Sequence, residues 1–208
     1  MSRVYIVDDD IDARHGFENL LQSVRLEVAT FASVDEFLKN VRPDAPGCLV
    51  LDVRLPGLSG LDFQAALANS NNNHMPIVFI SGYGDIPMTV RAMKAGAVEF
   101  LTKPVREQDL LDAVRVALDR DRSYREAAGL LADVRTRFQL LTARERDVVV
   151  LVTAGKMNKQ VAAELGVSEV TVKMNRHNAM KKLGANSFAD LVRMVDAVGF
   201  KAHSETTE

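Results

Sequence analysis

Cys48-Leu49-Val50-Leu51-Asp52-Val53-Arg54-Leu55-Pro56-Gly57 is the stretch whose reading decides the fold. An apolar run ends abruptly on a carboxylate, and a Pro-Gly turn follows at once. That pattern predicts a buried strand of a parallel sheet with Asp52 at its C-terminal tip. In open α/β sheets, ligands and chemistry gather at the carboxyl ends of the strands. The plainer alternative is that Asp52 only caps a turn. The flanking sequence decides between the two.

Working outward, Val4-Tyr5-Ile6-Val7 predicts a strand running into Asp8-Asp9-Asp10. Phe17, Leu20, Leu21 and Val24 then recur at helical spacing. Leu26 to Thr30 predicts a second strand, and Val34 to Val41 a short helix stopped by Pro43. The third strand is Cys48–Leu51, followed by a helix from Leu61 to about Ala68 and a polar loop, Asn69 to Asn73. The fourth strand, Ile77 to Ile80, ends on Ser81-Gly82; a helix from about Ile86 to Ala95 ends at Gly96. The fifth strand, Val98 to Leu101, ends on Thr102-Lys103-Pro104. Five such alternations predict a doubly wound parallel sheet with helices on both faces.

Four strands therefore end on reactive groups: Asp8 and Asp9, Asp52, Ser81, and Lys103. If the strands are parallel, all five residues meet at one rim. Adjacent carboxylates repel and call for a cation. Hard oxygen ligands without His or Cys indicate Mg²⁺ or Mn²⁺ rather than zinc. A carboxylate, a metal, a lysine and a hydroxyl together suit phosphoryl transfer to Asp52, because charge on the transferring group is met from several sides. Taken singly, each residue has an ordinary role: Asp8 or Asp9, and more readily Asp10, caps the next helix; Ser81 and Lys103 belong to turns. Five of them at matching strand ends are hard to obtain by accident.

Residues 1–121 resemble the receiver domain of two-component response regulators. The matching segments are Val7-Asp8-Asp9-Asp10, Leu51 to Gly60, Ile80-Ser81-Gly82, Met93 to Ala97, and Phe100-Leu101-Thr102-Lys103-Pro104. The resemblance implies that Asp52 accepts a phosphoryl group from a sensor histidine kinase. It implies Mg²⁺ held by Asp9, Asp52 and the backbone carbonyl of Arg54, with Asp8 acting through water. Ser81 and Lys103 would contact the phosphoryl group, the Lys103–Pro104 bond would be cis, and Phe100 would take the place of the aromatic switch residue. On phosphorylation the Ser81 hydroxyl would be drawn inward and Phe100 would fill the vacated space. Arg54 and Tyr83 lie two residues beyond Asp52 and Ser81, where the family places residues that govern water access; both are large, which implies slow self-dephosphorylation.

The composition, 47% hydrophobic and 26% charged, is that of an ordinary globular protein, and no apolar run approaches a membrane span. Cys48 is the one cysteine, so no intrachain disulfide or cysteine cluster forms. The chain opens directly on a strand without a signal-peptide pattern, and a cytoplasmic location is expected. The net charge of −2 hides an asymmetry: residues 1–121 hold 12 Lys/Arg against 18 Asp/Glu, and residues 142–208 hold 10 against 8. A cation-binding first part and a polyanion-tolerant second part are consistent with that division.

Residues 107 to about 140 lack proline. Leu110, Ala113 and Ala117 begin a 3,4 spacing that resumes at Tyr124, Ala127, Leu131, Val134, Phe138 and Leu141. This predicts one long helix, or two broken near Arg120. Its stripe serves either a dimer seam or packing on the chain's own domains.

Thr142 and Glu145 form a capping-box pattern that opens the last part. Asn158 to Leu165, the turn Leu165-Gly166-Val167-Ser168, and a helix onward to about Leu183 have the form of a helix-turn-helix. Ser187 caps a final helix carrying Leu191, Val192 and Val195. Lys173, Arg176, His177, Lys181 and Lys182 follow one another with no acid between them, a face suited to phosphates and the major groove, with Asn175 placed to bond a base edge. A solvated basic helix is the plainer alternative. The segment 138–198 resembles the LuxR-type DNA-binding domain through Leu141-Thr142, Arg144-Glu145, Asn158-Lys159, Val161-Ala162, Leu165, Ser168 and Thr171-Val172-Lys173. The resemblance implies that Lys159, Thr171, Lys173 and Arg176 face DNA, and that Val161, Ala162, Leu165, Val172 and Leu183 form the core. The family often has His where this chain has Asn175, so base preferences do not carry over directly.

The whole reading is a FixJ/NarL-type transcriptional response regulator: an α/β five-stranded receiver domain (1–121), a long helical linker (122–140), and an all-α four-helix helix-turn-helix domain (141–208). Double-stranded promoter DNA and a sensor histidine kinase are its expected partners, with RNA polymerase as a further one and a homodimer formed on phosphorylation. The chain resembles most the FixJ-type regulators, including those that control aromatic-compound degradation. One rival is a Mg²⁺-dependent aspartyl-phosphate phosphatase, for which the helix-turn-helix has no use. Another is a constitutive DNA-binding protein with a vestigial receiver, against which the intact acidic pair, Asp52, Ser81 and Lys103 speak.

Overall fold

The computed structural model describes residues 2–40, 46–68, 74–82 and 84–199. Contacts divide the chain between Arg125 and Glu126. The first part alternates β1 (Arg3–Val7), α1 (Ile11–Ser23), β2 (Glu27–Phe31), α2 (Val34–Asn40), β3 (Gly47–Asp52), α3 (Gly60–Ala68), β4 (Ile77–Ser81), α4 (Ile86–Lys94) and β5 (Glu99–Thr102). All pairings are parallel, in the order β2-β1-β3-β4-β5.

The inner strands β1, β3 and β4 read as nearly unbroken apolar runs because both sheet faces are covered there. Val4, Ile6, Cys48, Val50, Val78 and Ile80 face one core; Tyr5, Val7, Leu49, Leu51, Ile77 and Phe79 face the other. The period of two along each strand sorts them. The strand order reverses at β1, whose neighbours are β2 and β3. The crevice beyond the carboxyl ends of β1 and β3 is therefore the topological switch point, where such sheets hold their ligands.

Every strand differs by a residue or so from the sequence reading, β1 beginning at Arg3 and β4 ending at Ser81. β2 starts at Glu27 rather than Leu26, because Arg25 takes a left-handed φ of 64° and the Leu26 N–H closes the turn onto the Leu21 carbonyl. β3 extends through Asp52, which pairs with Ile80, and β5 runs one residue further, to Thr102. Val41, Pro43 and the loop Asn69–Asn73 lie outside the described residues.

α5 (Glu107–Gln139) is one unbroken helix through Arg120. The gap in its apolar stripe is Asp121, buried to 1% exposure. Its carboxylate accepts the Gly47 N–H at 2.8 Å and Arg125 Nε at 2.7 Å, and His74 Nε2 lies 2.9 Å away. A buried carboxylate with two donors on its Oδ2 thus stands where a heptad would place an aliphatic residue. Most of the stripe is used within the two parts of the chain. Leu110, Ala113 and Ala117 pack on the sheet, and Tyr124 stacks on His74 at 3.7 Å. Phe138 and Leu141 lie in the second part's core, with Val134 packed against it.

The second part continues as α6 (Ala143–Thr153), α7 (Asn158–Leu165), α8 (Glu169–Leu183) and α9 (Phe188–Val198). Thr142 and Glu145 make the capping box expected, and Ser168 and Ser187 cap α8 and α9. Gly166 turns the chain between α7 and α8 at a φ of 64°, a left-handed conformation that favours glycine. Val161, Ala162, Val172 and Leu183 are buried in the core as expected, and Leu165 is partly buried against it. Among the described residues, no helix is long and apolar enough to cross a membrane.

Candidate functional site

The rim residues come together where the sheet topology puts them. β1 delivers Asp8, 1% exposed, and the exposed Asp9 beside it; β3 delivers Asp52, 7% exposed. Each of these three carboxylates offers an oxygen within 4.8 Å of the others. Asp10 has the separate task expected of it: its side chain accepts the Asp12 and Ala13 N–H groups and caps α1. Asp8 is itself held, accepting the Asp10 N–H on Oδ1 at 3.0 Å.

Lys103, just beyond β5, bridges the two buried acids. Its Nζ donates to Asp8 Oδ2 at 2.6 Å and to Asp52 Oδ2 at 2.9 Å. The Lys103 N–H donates to the Ser81 carbonyl at 2.8 Å, and the Lys103–Pro104 peptide is cis. The Arg54 N–H donates to Asp52 Oδ1 at 3.0 Å, which brings the Arg54 peptide to the site. Ser81 is fully buried at the end of β4, one residue beyond Ile80, the register partner of Asp52. Phe100, on β5, is partly buried with its ring 6.2 Å from that of Phe79. Tyr83 lies outside the described residues.

Burial pushes the Asp8 carboxyl above its usual range, against the pull of Lys103 and the Asp10 N–H. Burial alone would lower Lys103, but its bonds to Asp8 and Asp52 outweigh it and the amine is held above its ordinary value. One lysine cannot neutralise three carboxylates. Two unit charges roughly 5 Å apart repel by about 3 kcal/mol at an effective dielectric of about 20. The all-oxygen donor set and the residual negative charge fit a hard divalent cation.

Two residues to which the sequence reading gave no role also shape the site, although Gly60 closes the matching segment Leu51 to Gly60. Arg14, on α1, donates from Nη1 to the Asp8 carbonyl at 2.5 Å and brings a positive charge to the acidic loop. Gly60 begins α3, and its N–H donates to the Val53 carbonyl at 3.0 Å. A Cβ at Gly60 would lie 2.5 Å from the Asp52 carbonyl oxygen, so the end of β3 requires a glycine here.

On the helix-turn-helix, Lys173, His177 and Lys181 recur at i, i+4 and i+8 and are exposed, while Val172, Ala179 and Leu183 are buried. Lys159 is exposed on α7. Thr171 is partly buried and its N–H completes the Ser168 cap. Arg176 is partly buried and lies 5.7 Å over the Phe188 ring. Asn175 donates an amide hydrogen to the Thr171 carbonyl at 2.9 Å, so part of its hydrogen-bonding capacity is used within the helix. Lys182 leaves the basic face: its Nζ bonds the buried Glu145 at 2.7 Å and the Leu140 carbonyl at 3.3 Å.

A five-stranded doubly wound sheet with this acidic rim, joined to a LuxR-type helix-turn-helix, defines a response regulator that acts on DNA. A family model described as the response regulator receiver domain matches residues 4–115. A second, bacterial regulatory proteins of the luxR family, matches residues 139–195. Nodulation protein W of Bradyrhizobium diazoefficiens is 56% identical over 206 residues, 99% of this chain and 90% of that protein. Response regulator protein TodT of Pseudomonas putida is 46% identical over 195 residues, 94% of this chain and 86% of that protein. Among solved structures, the response regulator StyR is similar with a TM-score of 0.82 and 50% identity, covering 94% of this chain and 98% of that one. Full-length FixJ from B. japonicum follows at 0.56 and 34%, covering 95% and 97%. The chain belongs to the FixJ/NarL family of two-component response regulators. It is a transcriptional regulator rather than a classical enzyme, and its class implies a histidine kinase upstream and DNA as target.

Proposed function

We propose that Asp52 is the phosphoacceptor and that its phosphorylation raises the affinity of the helix-turn-helix for promoter DNA. The observation that carries this reading is the bridge from Lys103 Nζ to both Asp8 and Asp52 at the switch point of the sheet. An Asp52 carboxylate oxygen attacks the phosphorus of a phosphohistidine on the kinase. The P–N bond breaks, its electron pair stays on the imidazole nitrogen, and an acyl phosphate remains on Asp52. Asp8, Asp9, Asp52 and the Arg54 backbone carbonyl would hold Mg²⁺ or Mn²⁺, which offsets the negative charge gathered on the phosphoryl oxygens. Lys103 moves from bridging carboxylates to neutralising a phosphoryl oxygen, and the Ser81 hydroxyl donates to another. Phe100 then packs into the space Ser81 leaves, biasing the surface formed by α4 and β5 between two arrangements.

Downstream, the phosphorylated chain pairs as a homodimer on two half-sites and engages RNA polymerase. Lys159, Thr171, Lys173, Asn175, Arg176 and Lys181 supply the DNA contacts. The work is done in the cytoplasm, where kinase output and promoter meet. Genomic footprinting of wild type beside Asp52→Ala tests the reading: occupied promoters in wild type should empty in the variant. Equal occupancy in both would overturn it.

A further inference from the structure

We infer that Arg137 is a positioning residue for DNA binding: from the end of α5 it caps the carboxyl end of α8 and steadies the turn that carries Lys181. This rests on the reading of Lys181 as a DNA contact.

The last carbonyls of a helix lack intrahelical donors. At the end of α8, the Gly184 N–H closes onto the Lys181 carbonyl at 3.3 Å and the Ala185 N–H onto the Met180 carbonyl at 2.9 Å. The Leu183 carbonyl receives its donor from outside the helix: Arg137 Nη1, at 3.1 Å. The same guanidinium is anchored one turn back on its own helix, Nη2 donating to Asp133 Oδ2 at 2.6 Å. Arg137 is therefore held in place before it meets α8. A cation at a helix C-terminus also meets the negative end of the helix dipole.

The fit is close. A Cβ at Gly184 would lie 2.6 Å from Arg137 Nη1, so no side chain can stand there while the cap is made. The φ of 73° at Gly184 favours glycine independently. Next to Arg137, Phe138 is 3% exposed in the core that also holds Leu183. The neighbouring Lys182 is tied to Glu145 and to the Leu140 carbonyl. The final turn of α8 is thus pinned from the segment that leads into α6, and Lys181 stands on that turn with its side chain exposed. Arg137 gives the turn its orientation without being one of the basic groups of the exposed face.

The test uses the full-length protein and a duplex recovered by the wild-type chain from a random-sequence library. Arg137→Ala should weaken binding roughly threefold to tenfold, the worth of about one ordinary intramolecular hydrogen bond. The slope of log Kd against log salt should not change, whereas loss of a direct phosphate contact lowers it by about 0.9. In a Lys181→Ala background the effect of Arg137→Ala should shrink to roughly 1.5-fold or less, because the two act through one contact. Amide exchange at Gly184 and Ala185 should quicken about tenfold, with or without DNA. A fall in the salt slope, full additivity with Lys181→Ala, or unchanged amide exchange would overturn the inference. Faster exchange with unaltered DNA affinity would overturn it as well, whereas a Lys181→Ala variant that by itself leaves affinity and salt slope unchanged would instead overturn the reading of Lys181 as a contact. Should Arg137→Ala melt the domain, Asp133→Asn removes only the anchor of the guanidinium and should give the same pattern at smaller amplitude.

Discussion

Asp52 has both carboxylate oxygens engaged, one by the Arg54 N–H and one by Lys103, while its own carbonyl lies against Gly60. The last contact leaves no room for a methyl group. Gly60→Ala should destabilise the receiver by about 1–3 kcal/mol, the usual range for overpacking a close site. It should also weaken beryllofluoride binding, because any relief of the clash moves the Asp52 peptide. Urea midpoints and a fluoride titration check both effects. Arg54 is exposed two residues beyond Asp52, and on the proposal that Asp52 carries the phosphoryl group its side chain screens the acyl phosphate from water. Arg54→Ala with Tyr83→Ala should shorten the phosphate lifetime by roughly tenfold, about 1.4 kcal/mol of barrier, read as decay of labelled phosphoprotein. Equal decay would refute a shielding role. Asp8, Asp9, Asp52, Ser81 and Lys103 were legible in the sequence because each follows an apolar run whose end can be read. Gly60, Arg14 and Lys182 were not. Their roles arise from approach across the fold, and no spacing records a 2.5 Å clearance or a lysine turned to an internal glutamate.

The elements followed the same logic. Strands buried on both faces announced themselves; their ends depended on hydrogen bonds outside the apolar pattern, as at Arg25 before β2. In α5 the stripe was legible but its gap was ambiguous, since a charged residue at a core position reads as a break until its partners are known. Asp121 has them. Asp121→Ala leaves the Gly47 N–H and Arg125 without their acceptor. Removing one partner of a buried ion pair typically costs about 3–5 kcal/mol. The Arg125 side chain, 27% exposed, can turn to water, so the expected loss is at the lower end, about 3 kcal/mol, in the urea unfolding of the receiver. Glu145 is the corresponding group of the second part. Burial alone would raise its pKa, but Lys182 and the Thr142 cap outweigh it and hold the carboxyl below its ordinary value of 4.5. A depressed carboxylate stabilises the fold above the unfolded pKa and ceases to do so as pH falls through the folded one. The Tm of the helix-turn-helix part should therefore be steady from neutrality to near 4.5 and drop below it. Glu145→Gln should start lower at neutral pH and lose this contribution to the acid slope.

At the scale of the whole molecule, the acidic rim and the basic helix belong to separate parts of the chain, so the proposed signalling requires a coupling free energy between them. Its size is measurable without a phosphate that decays. Beryllofluoride on the wild-type chain should raise affinity for a cognate duplex about tenfold, a coupling of roughly 1.4 kcal/mol. The Lys103 amine donates to Asp8 and Asp52, and on the proposed reading it acts only by meeting the new phosphoryl oxygens. Lys103→Ala should therefore leave the basal affinity unchanged and abolish the rise. Sedimentation in the same samples should show dimer gained with beryllofluoride in wild type and not in the variant. A linked equilibrium demands that the two readouts move together: if dimer forms without tighter DNA binding, pairing is not the route by which the rim acts. If Lys103→Ala retains the full rise, the amine is not what senses the new oxygens, and the switch must be assigned to Ser81 and Phe100 alone.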